Sequence, residues 1–210
     1  MIITISREFA SGGSEVARQV ADRLGWSLVD NQLVVEVAAR AGLTREEVAQ
    51  REESTPGFGE RVARALAISM PEFVGPEAGA LSTLPEVGLV RVTEAVVAEL
   101  AARGRVVMVG RAAPAVLASH PQSFHVRIVA PRAARVARAA ERLGIGPGEA
   151  EALLDRSDEN RGRYHRQHYH RDWADPVNYH MVLNTGALGL EGAVQAILGH
   201  AQTLWGIDKS

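Results

Sequence analysis

The chain opens on an apolar run, Met1-Ile2-Ile3 and Ile5 around Thr4, that reads as a short buried strand ending at Ser6. A Ser/Gly-rich stretch follows. Beyond it Val16, Ala17, Val20, Ala21 and Leu24 recur at helical spacing, and Gly25 supplies a stop. Ser27-Leu28-Val29-Asp30 is a second short strand, ending in an acid. Helical periodicity covers 33–41, 44–51 and 59–70, with Thr44 and Glu47 at capping-box spacing. The Pro/Gly-rich stretch 71–88 reads as a loop and 89–103 as a helix. Arg105 to Val109 is an apolar run of the kind buried on both faces in a parallel sheet, and Gly110-Arg111 ends it. A strand over 123–129 leads through Pro131 into a helix over 132–143. A further helix from 149 to about 165, a strand over 180–184 and a helix over 190–204 complete the pattern.

Strands alternating with helices predict an α/β fold: a parallel sheet covered on both faces, with ligands at the carboxyl ends of its strands. At 210 residues and 46% hydrophobic, one domain with insertions is expected, and a disordered or fibrous chain is excluded. The absence of cysteine removes disulfides and thiolate metal sites. No apolar stretch approaches the roughly 18 to 20 residues of a membrane span, and the chain begins in a strand-like run rather than a signal sequence, so the cytoplasm is the expected location.

Charge changes this picture locally. The net value of -2 argues against a general nucleic-acid binder, yet 30–100 holds twelve acids against six basic residues, while 127–171 holds ten arginines against six acids. An anionic ligand is drawn to the second region. Across the chain the basic residues are 22 arginines and one lysine, Lys209, so any cationic chemistry falls to arginine.

Ser6 to Ser14, Asp30 and Gly110-Arg111 all follow strand ends, which groups them as one site. The phosphate-binding motif G-x-x-x-x-G-K-[ST] uses backbone N–H groups and a helix N-terminus to hold phosphates, a lysine to reach the terminal ones and a hydroxyl for magnesium. In that register Arg7 stands for the first glycine, Gly12 for the second, Gly13 for the lysine and Ser14 for the hydroxyl residue. Half of the motif is present. Read alone, the segment is equally an ordinary strand–turn–helix crossover. A cluster at 164–171 places His165 and His168 on one helical face, but flanking arginines repel a cation; these residues are expected to cover a ligand or a subunit surface instead.

Five segments together resemble the cytidylate kinase-like family, a divergent branch of the P-loop nucleoside monophosphate kinases. They are Ile3 to Gly13, Leu28 to Leu33, Val107 to Arg111, Phe124 to Pro131 and Asp172-Trp173-Ala174-Asp175-Pro176. The resemblance implies a three-layer P-loop kinase fold. Its core would be 1–30, 104–130 and 176–210, with a helical acceptor-binding insert over 31–103 and an arginine-rich lid over 131–175. It also implies an ATP-dependent, magnesium-assisted phosphotransferase acting on a nucleoside monophosphate or similar small acceptor. The alternative is a P-loop-fold nucleotide- or anion-binding regulatory protein without catalysis, favoured by the missing lysine and by Val109 where related kinases have an acid.

Under the resemblance, Ser11, Gly12, Gly13 and Ser14 hold donor phosphates. Arg111 matches the arginine of the G-R-D motif that grips the acceptor phosphate, although Ala112 replaces its aspartate. Asp158-Glu159-Asn160-Arg161 matches the D-x-x-R part of the lid motif, making Arg135, Asp158 and Arg161 the lid residues. Asp30 and Ser14 are the magnesium contacts, unless Asp30 is a solvated turn residue. Arg7 either supplies the lysine's charge or pairs with Glu8. The insert, with Phe58 and Phe73, is expected to form a homodimer interface.

Overall fold

The computed structural model describes residues 1–30, 94, 97–110 and 112–207. Its centre is a five-stranded parallel sheet of β1 (Ile2–Arg7), β2 (Ser27–Val29), β3 (Val106–Val109), β4 (Ser123–Val129) and β5 (Met181–Asn184), in the order β2-β3-β1-β4-β5. β1 is central, between β3, with Ile5 opposite Val109, and β4, with Ser6 opposite Arg127. The strands expected from apolar runs are therefore present, within a residue or two of the expected ends. The helices expected over 33–41, 44–51 and 59–70, the loop over 71–88, and Phe58, Phe73 and Arg111 lie outside the described residues.

Alternation along β1 and β4 decides what each face of the sheet covers. Ile3 and Ile5 of β1 lie with Phe124, Val126 and Ile128 of β4 on one face, against α1 (Gly13–Leu24) and the C-terminal helix. There Val16, Ala17, Val20 and Ala21 meet Val194, Ile197, Leu198 and Ala201. Full burial of each larger side chain contributes about 1.5–3 kcal/mol, so this face is the main apolar anchor of the fold. On the opposite face a smaller cluster joins Ile2, Val106 and Met108 to Val97, Ala101, Ala113 and Leu117; residues 97–103 are helical, and α2 is Ala113–Val116.

That second face turns polar where β1 meets β4. Thr4 and Ser6 alternate with the isoleucines, and His125 and Arg127 with the apolar residues of β4, so four buried polar side chains sit side by side. Each is partnered, as burial demands. Thr4 Oγ1 lies 2.8 Å from His125 Nδ1. Ser6 Oγ accepts from Trp173 Nε1 at 2.8 Å, and Arg127 Nη1 donates to the Trp173 carbonyl at 2.9 Å. The segment after residue 170 thereby lids this polar strip.

Two helices follow β4: α3 (Arg132–Leu143) and α4 (Pro147–Tyr169). The latter is longer than the expected 149–165 because Pro147 serves as its first turn and helical geometry continues to His170, which ends it at positive φ. The C-terminal helix, α5 (Thr185–Trp205), also begins earlier than 190. Asn184 caps a first turn by accepting from the Gly186 N–H, and Gly189 breaks the geometry before the regular stretch. No helix among the described residues is long and apolar enough to cross a membrane.

Candidate functional site

The loop from Glu8 to Gly12 joins β1 to α1 at the carboxyl edge of the sheet. Gly12 precedes α1 in the left-handed region, with φ 86°, a conformation open to glycine at little cost. No side chain caps α1. Its first-turn N–H groups have no intrahelical acceptor, and the helix dipole adds positive potential there. A Cβ on Gly13 would stand 2.5 Å from Arg7 Cβ, and one on Gly12 would overlap Leu190. The backbone is thus held against its neighbours with no room for side chains.

Ser11 works inward. It is fully buried, its hydroxyl donates to the carbonyls of Glu8 (2.9 Å) and Ile128 (3.2 Å), and its N–H bonds Glu8 at 3.3 Å. Thr185 Oγ1 in turn donates to the Ser11 carbonyl at 2.6 Å. Ser11 therefore shapes the loop rather than presenting its hydroxyl. Ser14 is exposed on the first turn of α1.

The arginine-rich segment is attached to this loop. Phe9 and Ala10 pack with Val136 and Ala139 of α3 and Ala150 and Leu154 of α4. Asp158 of α4 accepts the Phe9 N–H at 2.8 Å and Arg161 Nη1 at 2.9 Å on one oxygen, and Arg135 Nη1 on the other. Arg135 also donates to the Phe9 carbonyl at 3.4 Å, and its Nε lies 3.5 Å from a Glu8 oxygen. Arg135, Asp158 and Arg161, expected in the lid, are brought together against the loop.

Glu8 turns toward β4: its carboxylate accepts the Ala130 N–H at 3.2 Å and stands 3.9 Å from Arg127. Arg127 is 4% exposed, with its guanidinium 4.0 Å over the Trp173 ring. Glu8, Arg127, Arg135, Asp158 and Arg161 carry a formal surplus of one positive charge beside the loop.

Arg7 runs the other way. Its stem crosses Gly13, and its guanidinium reaches Gly110 at the end of β3. Asp30, half-buried, follows β2 at the sheet edge, with β3 between it and β1. Strand spacing near 4.8 Å puts it about 10 Å from the end of β1.

Three contributors were not among the site residues singled out from the sequence, although Arg138 lies in the expected lid segment. Arg138 donates to the Ala10 carbonyl at 2.7 Å, next to Gly12. Arg127 was signalled by its alternation with Phe124, Val126 and Ile128, which puts a cation in a buried strand. Trp173 holds Ser6 and Arg127 at once. The histidines of α4 are interior in part: His165 is buried with its ring near Tyr164 and Tyr169, and burial, then Arg171 and Arg127, push its pKa down to about 4.

A family model described as the cytidylate kinase-like family matches residues 2–187. No curated protein matches the chain. Among solved structures, an uncharacterized protein from Eubacterium ventriosum is 20% identical, with a TM-score of 0.69 over 97% of this chain and 99% of that one. A shikimate kinase from Acinetobacter baumannii in complex with shikimate is 16% identical, with a TM-score of 0.51 over 97% and 94%. A gluconokinase from Sinorhizobium meliloti gives the same four figures. The fold is that of the P-loop kinases.

Proposed function

The chain belongs to the cytidylate kinase-like family, and on that premise we propose that it is an ATP-dependent phosphotransferase acting on a nucleoside monophosphate or similar small acceptor. The observation that carries this reading is the uncapped start of α1 with Asp158, Arg135 and Arg161 gathered on its loop. Donor phosphates would lie along the α1 N-terminus. An acceptor oxygen attacks the γ-phosphorus as the bond to the β–γ bridging oxygen breaks, ADP leaves, and any acceptor proton passes to solvent. Such a step asks the protein mainly for positioning and charge neutralisation.

Magnesium is assigned to Ser14 and Asp30, mostly through water: one is exposed and one half-buried, and magnesium binds few protein oxygens and keeps several waters. When bound it would neutralise charge between donor phosphates. Arg111, next after Gly110, is assigned to the acceptor phosphate, and Arg161 with Arg135 to the transferred group.

A second reading is supported by the Phe9 N–H, which Asp158 already occupies, and by the loop's lack of lysine. It is a nucleotide- or anion-binding regulatory protein without catalysis. Calorimetric titration with MgATP beside a coupled ADP-release assay across AMP, CMP, GMP and UMP separates the two. The proposal expects binding and acceptor-dependent ADP release; binding without release supports the second reading, and neither overturns both.

A further inference from the structure

The loop lacks the cation that its motif places on α1. Gly13 stands at the lysine position, a Cβ there would overlap Arg7 Cβ, and the chain's single lysine is Lys209. Backbone N–H groups orient phosphates without neutralising them. A cation for the donor phosphates therefore has to come from another element.

Helix α3 brings one. Arg135 and Arg138 are three residues apart, which puts them on one face of the helix. That face meets the loop: Arg135 Nη1 donates to the Phe9 carbonyl at 3.4 Å, and Arg138 Nη1 to the next carbonyl, that of Ala10, at 2.7 Å. Val136 and Ala139 seat the same helix on Phe9 and Ala10. The Arg138 guanidinium thereby comes to rest at Gly12, where a Cβ would stand 3.5 Å from Nη1 and 3.8 Å from Cζ. Gly12 is the residue that opens α1.

The two arginines differ in charge balance. Arg135 is buried between the carboxylates of Asp158 and Glu8. Glu8 also faces Arg127, Asp158 also pairs with Arg161, and Asp155 pairs with Arg132. Among the described residues no carboxylate pairs with Arg138. A carbonyl takes its hydrogen bond and leaves its charge uncancelled. The side chain is half-buried, and a cation held partly out of water attracts an anion more strongly than one in bulk solvent.

We propose that Arg138 is the standing counter-charge of the donor phosphates, doing from α3 what the motif's lysine does from α1. This rests on the donor site proposed above and deepens it. An arginine carried on a closing lid reaches phosphate only as the site closes. Arg138 is bonded to the loop itself, so it acts in the binary complex with nucleotide, before any acceptor is present. The bond to Ala10 uses one guanidinium N–H and leaves the others for phosphate oxygens.

Calorimetry of the full chain with MgATP and MgADP, in the absence of any acceptor, tests this. Arg138→Gln keeps a donor for the Ala10 carbonyl and removes the charge; it is expected to weaken both nucleotides by about tenfold or more. Arg138→Lys keeps the charge and is expected to stay within about threefold of wild type. Arg142→Met, one turn further along α3 and exposed, is expected to change either affinity by less than about twofold. Thermal melts report folding of each variant. Unchanged affinity in Arg138→Gln overturns the proposal. A loss in Arg138→Lys equal to that in Arg138→Gln also overturns it, because bond geometry and not charge would then be responsible. An equal loss in Arg142→Met does the same, since the general field of the helix would account for it. Each of these results leaves the phosphotransferase reading standing while wild type binds MgATP. A wild type that binds neither nucleotide overturns both.

Discussion

On the β4 side of the loop, Arg127 and Arg135 are buried and engaged by Glu8 and Asp158, whereas on the β3 side Arg7 is half-buried and lies along Gly13 and Gly110. One flank buries its arginines against carboxylates. The other leaves its arginine partly exposed. A buried guanidinium whose carboxylate is removed keeps its desolvation cost without its partner, so the first flank is expected to govern stability. A partly solvated guanidinium contributes little to folding and a great deal to an anion that binds it.

The largest effect that would sharpen this contrast is at Asp158. Asp158→Ala removes the carboxylate bonded to Arg135 Nη1, leaving that side chain, 10% exposed, with the Phe9 carbonyl and the Glu8 carboxylate, and frees the Phe9 N–H. Urea unfolding is expected to show a loss of about 3–5 kcal/mol. A loss below about 1 kcal/mol would mean that the β4 flank is no more structural than the surface.

Acid probes the same flank without mutation. His125, between Thr4, Ser123 and the Leu117 carbonyl, has its pKa lowered to about 4 by burial first and then by His180, Arg171 and His120; His165 is lowered to about 4 as well. Each folded value lies below the ordinary 6.5, so the unfolded chain takes up protons first. The stability that neutral histidine contributes is complete above about pH 6.5 and declines as pH falls toward about 4. Melting temperature is expected to drop across that window. A flat profile from pH 7 to 4 would contradict the buried, neutral assignment.

Arg7→Met is expected to change unfolding free energy by less than about 1 kcal/mol, since the stem that packs on Gly13 is retained. A cost matching that of Asp158→Ala would erase the distinction between flanks. The smallest effect is at the surface pair Arg23–Glu191, where two hydrogen bonds of 2.8 and 2.7 Å hold an exposed carboxylate whose pKa falls to about 2. Glu191→Gln is expected to leave the melting temperature unchanged within error, because solvent screens exposed pairs.

The strands were legible because β3 is an apolar run buried on both faces and β1 and β4 carry apolar residues at every second position. Their order followed from the alternation of strands and helices only as far as a parallel sheet; β2-β3-β1-β4-β5 needed the pairing itself. Asp158, Arg135 and Arg161 were legible as a group from the D-x-x-R pattern and the run of arginines. Their attachment to the loop was not, because it depends on one backbone bond, Phe9 to Asp158, between residues 149 positions apart. Ser11 looked like a ligand because serine in a glycine-rich turn has two uses, and only the position of the Glu8 and Ile128 carbonyls selects the inward one. The path of Arg7 was not legible because it depends on shape: Gly13 and Gly110 leave the space that its side chain fills, and Glu8 faces β4.

Phosphoryl transfer itself is most directly followed by phosphorus NMR of the full chain with MgATP and each nucleoside monophosphate in turn. The account predicts that, for at least one acceptor, ADP resonances grow together with those of a nucleoside diphosphate. Nucleotide binding with no new phosphorus resonance over many hours, for every acceptor, would contradict it.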